Sequence, residues 1–347
     1  MRNSTKTIAI TISLFIIITL SAKAQDGFLD LLYGTPEDAT KYSNSYFAPV
    51  FKGLGYGFNN GWYNTAKTHE QWGFDITISA NLAFVPEADE FFTFRNEDYK
   101  VMQLENNPYA PTPTIFGPNE PGPMFQIPYD TLGTTLVLAE FEGIEGAGLK
   151  DEIGFNAIPS PIIQVGIGVF KNTDIKVRYI PDVSSTDKFD YSVWGIGIMH
   201  DIGQWIPGMK ESPIDISIFG AYSSLKSDIY FDMDSNFPGV NQKISTGIKG
   251  WTLEALVSKK ISVLTIMAGL GYNSAKTNFD LLGTYDVTYN YLPVPITYTD
   301  PIKLKTNESS MRITGGLRVQ LAIVTIFSTY TFNGYNLLNA GFGVSIK

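Results

Sequence analysis

The chain of 347 residues contains no cysteine and only two histidines, His69 and His200. Without cysteine, a disulfide framework and thiolate metal sites are excluded. Neither histidine belongs to a pair with metal-ligand spacing, and one histidine without cysteine cannot build a usual zinc site. The G-x-S-x-G motif that marks a serine nucleophile is also missing. We therefore expect no metal, no cofactor and no enzymatic activity.

Long apolar runs and an excess of positive charge are missing as well. After the first 24 residues, no apolar stretch approaches the roughly 18 residues needed for a transmembrane helix. Lysine and arginine total 25 against 34 acidic residues, which gives a net charge of −9. An acidic chain repels nucleic acid, so we expect no nucleic-acid partner.

The first 24 residues have the pattern of a secretory signal peptide. Arg2 and Lys6 precede an uncharged run from Ile8 to Leu20, and the sequence Ala22-Lys23-Ala24 follows. A basic start, a short apolar run and an A-x-A site are read by export machinery. We predict cleavage after Ala24 and export of the remaining chain.

Glycine, with 32 residues, and aromatic residues, at 14%, are abundant. In the final stretch LLNAGFGVSIK, large apolar residues alternate with small or polar ones. Such alternation is typical of a strand whose two faces differ. The same pattern predicts ten strands, at 74–84, 161–171, 174–181, 191–201, 213–223, 247–258, 261–272, 308–320, 323–333 and 336–346.

The connections between these strands differ in length. Those after residues 171, 258 and 320 are very short, whereas 224–246 and 273–307 are long. Short turns at one end and long loops at the other are typical of membrane β-barrels. A soluble barrel has the same alternation, but aromatic residues near the strand ends favour the membrane.

We predict an all-β fold, a transmembrane antiparallel β-barrel of about twelve strands. Segment 132–141 and a neighbour would add a hairpin to the ten strands above, and barrels of ten or fourteen strands are alternatives. The loop 106–128 contains seven prolines, which no central strand tolerates. In a closed barrel the last strand pairs with the first and has no free edge.

Residues 25–72 do not resemble strands and are predicted to form a plug ahead of the barrel, which would span 73–347. Thr35 followed by Pro36 predicts a short helix that ends near Tyr46. The glycine-rich sequence that follows predicts tight turns. The aromatic residues expected to fill the plug are Phe51, Tyr56, Phe58 and Trp62.

Four basic residues lie on the polar faces of predicted strands and are expected to face the barrel lumen. They are Lys176, Arg178, Arg312 and Arg318. One role for them is to pair with acidic residues and hydrate the interior. The other is to attract an anionic head group, such as a carboxylate, through charge-assisted hydrogen bonds.

Three stretches carry a resemblance to known exported barrels: FKGLGYGFNNGWYNTAKTHEQWGFDITISANLAFVP, GVFKNTDIKVRYIPD and GIGIMHDIGQWIPGMKESPIDISIFGAY. They resemble an uncharacterised Bacteroidetes-type family of outer-membrane β-barrels. The layout of a plug followed by a barrel is also distantly similar to the outer-membrane transporters of long-chain fatty acids. That family has an Asn-Pro-Ala motif in its plug, whereas Asn64-Thr65-Ala66 here lacks the proline. The resemblance implies an outer-membrane location.

Two functions follow as hypotheses. The first is a plugged channel for hydrophobic or amphipathic small molecules. The alternative is a structural or surface-interaction barrel that binds a partner through long acidic external loops. In either case we expect a monomer in contact with outer-membrane lipid.

Overall fold

The alternating segments of the sequence form long antiparallel strands that close into one barrel of ten. The computed structural model describes residues 27–131, 133–185, 189–230 and 237–346, so the predicted signal peptide lies outside the described residues. The barrel strands are β1 (Phe74–Phe84), β2 (Ala157–Gly168), β3 (Thr173–Ser185), β4 (Phe189–Asp201), β5 (Ile214–Tyr230), β6 (Lys243–Ile261), β7 (Leu264–Leu282), β8 (Ile302–Leu321), β9 (Val324–Phe332) and β10 (Leu337–Ile346).

Closure joins the last strand to the first. β10 pairs with β1 over its whole length, from Phe74 opposite Ile346 to Ala83 opposite Leu337. The other edge of β1 pairs with β2. The terminal strand therefore has a partner on each side, as predicted, and the barrel leaves no open edge between β1 and β10.

The apolar face of each strand points outward. On β1, Ile76 and Ile78 are 46% and 43% exposed, whereas Thr77 and Asn81 between and above them are buried. In a soluble barrel the apolar side chains fill the interior, because burying them removes apolar surface from water. The inverted arrangement matches a barrel whose outer surface contacts hydrocarbon and whose lumen is polar.

The two ends of the barrel differ in their connections. At one end β2 and β3, β6 and β7, and β8 and β9 are joined by tight turns, and β4 and β5 by the moderate turn 202–213. At the other end the links 85–156 and 283–301 are long. This asymmetry was predicted from the sequence.

The long links and the amino-terminal residues build a structure over one mouth of the barrel. We call it the cap, and it comprises the described parts of 27–35, 85–156 and 283–301. Its parts share one apolar core, in which Tyr33 lies 6.0 Å from both Phe141 and Tyr289, measured between ring centroids.

The barrel has ten strands, one of the predicted alternatives, and the preferred count of about twelve is not confirmed because the additional hairpin belongs to the cap. Strands Met124–Thr131 and Thr134–Glu142 form a three-stranded sheet with Gln103–Leu104. Strands Phe91–Arg95 and Tyr109–Pro113 form another sheet. Prolines in these short strands limit the ladder, and the register shifts between Ile127 and Pro128. Two further short strands, Thr284–Val287 and Ile296–Thr299, form a hairpin between β7 and β8.

One long helix, α1 (Pro36–Phe58), passes from the cap into the barrel. It begins as predicted at Thr35, whose Oγ1 accepts a hydrogen bond from the Asp38 backbone N–H at 3.1 Å. Its predicted end near Tyr46 is wrong, since it continues for three more turns. No helix in the described ranges is both long and apolar enough to cross a bilayer.

The glycines that suggested tight turns instead lie on α1 where it touches the barrel wall. A Cβ on Gly55 would lie 2.7 Å from the Cβ of Ala275, and one on Gly57 would lie 2.6 Å from the Oγ of Ser160. Only glycine allows so close an approach of helix and strand. The glycine spacing reflects packing inside the barrel.

Candidate functional site

The barrel lumen is occupied by the chain's own residues 59–72, which we call the lumen segment. It connects the end of α1 to the start of β1. Trp62 and Ala66 of this segment are buried, with Trp62 only 1% exposed. They pack with inward-facing apolar residues of four strands, including Met199 and Phe219. The lumen is therefore filled by protein at this level.

Two arginines of the wall hold the carboxyl end of α1. Arg178 donates from Nη1 to the Phe58 carbonyl at 3.0 Å and from Nη2 to the Asn60 carbonyl at 2.8 Å. Arg312 donates from Nη1 to the Asn59 carbonyl at 3.0 Å. The last carbonyls of a helix have no partner within the helix and carry partial negative charge. The two guanidinium groups satisfy these carbonyls.

Arg178 also fixes the first aromatic residue of the lumen segment. Its guanidinium lies 3.6 Å from the ring centroid of Trp62. Its Nε donates to Gln164 Oε1 at 3.1 Å, and Gln164 Nε2 donates to the Trp62 carbonyl at 3.1 Å. A stacked, desolvated arginine stabilises an aromatic ring more than an exposed one does. The three residues form one network between wall and lumen segment.

Arg312 has a carboxylate partner, unlike Arg178. Its Nε lies 3.2 Å from Glu254 Oε2, and both side chains are buried. Glu254 also accepts a hydrogen bond from the Tyr63 hydroxyl, and Arg312 donates to the Asn60 side chain. A buried ion pair is stable only when further hydrogen bonds satisfy its remaining donors and acceptors. Here the lumen segment provides them.

A second ionic cluster ties the lumen segment at the opposite mouth. His69 Nδ1 lies 2.9 Å from Asp174 Oδ2, and the His69 backbone N–H donates to Asp174 Oδ1 at 2.8 Å. Lys176 Nζ lies 3.8 Å from the same carboxylate. The Asp75 carboxylate lies 4.0 Å from His69 Nε2. Both ends of the segment are therefore fastened by charged groups of the wall.

Ser345, His69 and Asp174 lie next to one another in the same succession as the residues of a Ser-His-Asp triad. The Ser345 Oγ lies 3.5 Å from His69 Nε2, a distance at which a hydrogen bond is weak. Asp75 faces the same Nε2, and Ser345 is buried beneath the segment. The geometry fastens a chain segment to the wall.

The four predicted lumen cations all lie on inward faces of strands. Arg178 and Arg312 contact the chain's own backbone, and Lys176 pairs with Asp174. Arg318 differs from Arg312 because it has no ion pair among the described residues, although the buried Nε of both arginines has no hydrogen-bond partner there. The attraction of an anionic head group stays a prediction for these residues.

The predicted plug aromatics are all buried, and they lie at different heights. Phe51 packs 5.5 Å from Phe279 of β7, between ring centroids, and Tyr56 packs 6.1 Å from Tyr335. Trp62 lies below them beside Phe219. The interior therefore has an aromatic upper part next to the cap and a charged lower part.

The whole chain matches one family model, over residues 1–346. The chain belongs to the family of unknown function DUF6588. No curated protein with a matching sequence was found. The similarity to long-chain fatty-acid transporters stays a prediction.

Solved structures similar to this chain are barrels at low identity. The attachment invasion locus protein Ail of Yersinia pestis is 7% identical, with a TM-score of 0.27, covering 80% of this chain and 100% of Ail. The translocator domain of the autotransporter NalP from Neisseria meningitidis is 10% identical, with a TM-score of 0.32, covering 89% and 98%. The transport unit of AIDA-I from Escherichia coli is 9% identical, with a TM-score of 0.29, covering 90% and 99%. At these TM-scores the likeness adds nothing to the fold described above.

The sequence interpretation missed most partners of the lumen cations. Glu254 and Asp174 were not singled out, although both lie on inward faces of strands, and His69 was considered only as a metal ligand. Strand parity would have found Glu254 and Asp174. No local signal relates the lumen segment to strands more than a hundred residues away.

Proposed function

We propose that this protein is an outer-membrane barrel that works as a plugged channel for amphipathic small molecules. The observation that carries the proposal is the inverted barrel, apolar outside and polar inside, with its lumen closed by its own residues 59–72. Backbone groups in hydrocarbon must all be paired, and a closed barrel meets that requirement.

Aromatic residues at one height support the membrane position. Tyr179 pairs with Trp194 across β3 and β4, and Tyr222 pairs with Trp251 across β5 and β6. All four point outward, and Tyr272 of β7 lies 5.8 Å from Trp251 between ring centroids. Aromatic belts of this kind occupy the interface between hydrocarbon and head groups. The belt lies toward the cap. The short turns at the opposite end of the barrel are typical of the periplasmic side, which would place the cap outside the cell.

The layered interior supports an amphipathic cargo. The upper part presents aromatic rings such as Phe47, Phe51 and Phe279, whose centroids lie 5.1 to 6.1 Å apart. The lower part presents Arg178, and Arg312 paired with Glu254. A molecule with an apolar chain and an anionic head matches both layers once the lumen segment moves.

Planar-bilayer recording of a plug deletion tests the channel. At low applied voltage the full chain is expected to give a sealed trace, with brief openings only at high voltage. A variant lacking residues 27–66 is expected to give a steady ion conductance at low voltage. The deletion variant must first migrate on gels as a heat-modifiable, folded barrel. A folded deletion variant that stays sealed would contradict the channel.

Mass spectrometry of co-purified small molecules tests the cargo. The protein is extracted in a mild non-lipid detergent, and another barrel prepared identically serves as control. Enrichment of fatty acids or similar amphiphiles over the control is expected. Bulk lipid alone in both samples would contradict the amphipathic cargo while leaving the membrane barrel intact.

A surface-interaction barrel is the second candidate, and one observation favours it. Residues 290–297 of the cap, NYLPVPIT, are all exposed and uncharged, with Tyr291 75% and Val294 67% exposed. Exposed apolar groups on a rigid, proline-containing tip are typical of contact surfaces. Mild crosslinking on intact cells should then capture a protein that is lost when 290–297 is replaced by glycine and serine. Identical capture by both forms would exclude this tip as the contact surface.

A further inference from the structure

Two exposed lysines face each other on the outer wall. Lys249 of β6 is directly opposite Lys276 of β7 in the strand register, and both side chains are exposed and point outward. Residues opposite each other have Cβ atoms only about 5 Å apart, so like charges there are destabilising. The pair needs a compensating anion that the chain itself does not provide.

Neighbouring strands extend this positive surface. Lys226 of β5 lies diagonal to Lys249, and Lys305 of β8 lies diagonal to Lys276, each two residues further toward the cap. We call these four residues the lysine shelf. Diagonal neighbours on a sheet are about 7 to 8 Å apart, so the four ammonium groups form one patch.

The shelf lysines have no ion-pair partner in the described parts of the chain. Basic residues nearer the cap do: Lys243 lies 2.7 Å from Asp228, and Lys303 lies 3.4 Å from Asp300. Asp228 and Asp280 lie above the shelf and are the nearest outward acids on these strands. Asp228 interacts electrostatically with Lys226, and Asp280 with Lys305. The uncompensated positive charge therefore lies on the central pair, Lys249 and Lys276, in a chain whose net charge is −9.

The height of the shelf indicates what it contacts. Lys249 is two residues above Trp251, which corresponds to about 7 Å along the strand. Trp251 belongs to the aromatic belt, and residues just above such a belt reach the head groups of the lipids.

Polar donors lie beside the two central lysines. Ser274 Oγ lies 3.2 Å from Asn307 Oδ1, and Ser309 Oγ lies 2.9 Å from Ser274 Oγ. Asn307 is opposite Lys276 in the register of β7 and β8. Ser309 donates to Ser274 and Ser274 donates to the Asn307 amide oxygen, so the donors that face a phosphate are the two ammonium groups and the Asn307 amide nitrogen.

We propose that the lysine shelf binds the phosphate groups of a phosphorylated glycolipid in the outer leaflet of the outer membrane. This inference rests on the membrane position given under the proposed function. The lipid phosphate lies between Lys249 and Lys276 and removes their mutual repulsion, while Lys226 and Lys305 contact further anionic groups of the same or a neighbouring lipid. Acyl chains then lie on the apolar wall below Trp251.

Lipid binding by the full-length protein tests the proposal. The probe is bisphosphorylated lipid A in neutral detergent micelles, and binding is measured by native mass spectrometry. The variant K249Q/K276Q removes the central pair, and K259Q/K260Q removes two exposed lysines at the opposite end of β6 as a matched control. Each lysine near an anionic lipid surface contributes about 1 kcal/mol to the binding free energy. Loss of two lysines is therefore expected to weaken lipid binding by K249Q/K276Q about thirtyfold.

Comparison of the three proteins and of two forms of lipid A tests the lysine shelf as a lipid site. Support consists of weakened binding for K249Q/K276Q, unchanged binding for K259Q/K260Q, and weaker binding of wild type to lipid A from which a phosphate has been removed. Equal binding by all three proteins would overturn the lysine shelf as a lipid site. A chain found only in the soluble periplasmic fraction would overturn the membrane barrel itself, which distinguishes the two failures.

Discussion

At the scale of single residues, Arg178 joins the barrel wall to the plug. It satisfies two carbonyls at the end of α1 and stacks on Trp62. Replacing it with methionine removes the shortest hydrogen bond of each carbonyl and leaves only long ones, from Ser223 Oγ to the Phe58 carbonyl at 3.4 Å and from Asn81 Nδ2 to the Asn60 carbonyl at 3.5 Å. A poorly satisfied buried carbonyl costs about 1–3 kcal/mol. We expect R178M to lower the free energy of unfolding in urea by about 3 kcal/mol. R178K keeps the positive charge but lacks the planar guanidinium, so its free energy of unfolding should lie between those of R178M and wild type. Equal stability of R178M and wild type would contradict the contact.

Glu254 should be needed for the stability of the folded barrel, because its partner Arg312 is buried. The substitution E254Q leaves the Arg312 charge without its carboxylate and weakens the hydrogen bond from Tyr63. Breaking a buried pair by removing one partner costs about 3–5 kcal/mol. A double-mutant cycle with R312Q should show that the double variant is more stable than the sum of the single losses predicts. Strict additivity would mean that the two side chains do not interact.

Asp30 in the cap predicts a pH dependence. Partial burial raises the pKa of the Asp30 carboxyl from 3.8 to about 6. Because the folded state favours the protonated form, this contribution to stability is full below pH 3.8 and is lost as the pH rises through about 6. We expect D30N to unfold at a higher temperature than wild type at pH 7, with the difference shrinking toward zero near pH 4. A difference that stays constant across this range would contradict the raised pKa.

The sequence could indicate which residues face the lumen, but not what they contact there. Parity along the strands placed Arg178 and Arg312 inside, as the structure has them. Their partners Asn59 and Asn60 come from the lumen segment, more than a hundred residues away in the chain. Contacts between an irregular segment and a sheet have no period in the sequence, so no pattern predicts them.

At the scale of elements, α1 depends on its glycines for contact with the wall. In G55A the new methyl group would lie 2.7 Å from the Cβ of Ala275, which has no rotamer to change. Alanine is favoured over glycine within a helix by about 1 kcal/mol, so a loss of stability would show that packing outweighs propensity. We expect a loss of about 1–3 kcal/mol from overpacking.

Two variants make this prediction specific. A275G on the facing strand should restore the stability of G55A, because it removes the other half of the clash. G53A should be tolerated better, since the nearest atom is the flexible end of Ile158. If G53A and G55A were equally damaging and A275G restored nothing, the close approach of α1 to β7 would be wrong.

The ten strands predicted from alternation all exist, while their ends and the helix length were less predictable. β5, β6, β7 and β8 extend several residues further toward the cap than predicted, because the cap and α1 pack against their upper parts. Segment 132–141 has the composition of a strand but pairs within the cap. Local pattern identifies a strand, whereas its sheet is decided by long-range packing.

At the scale of the whole molecule, the barrel and its plug form one closed body. The wall contacts the lumen segment at α1's end through Arg178 and Arg312, in the middle through Ser217 and Ser258, and at the far mouth through Asp174. Under the channel proposed above, passage of a cargo would require these contacts to break. Since the contacts are distributed along the whole segment, we expect such an opening to displace the segment as a unit.

A reversible crosslink tests whether that displacement occurs. Thr65 Oγ1 of the lumen segment lies 3.1 Å from Ser258 Oγ of β6, so cysteines at both positions would place their sulfurs near bonding distance. The chain has no native cysteine to compete. Ser274 and Ser309 lie 2.9 Å apart within the wall and provide the matched control pair S274C/S309C. In planar bilayers we expect voltage-induced openings of wild type to vanish in oxidised T65C/S258C, to return on reduction, and to persist in the oxidised control. Openings that continue in fully crosslinked T65C/S258C would show that conduction bypasses the lumen segment, and the plugged-channel mechanism would then be wrong.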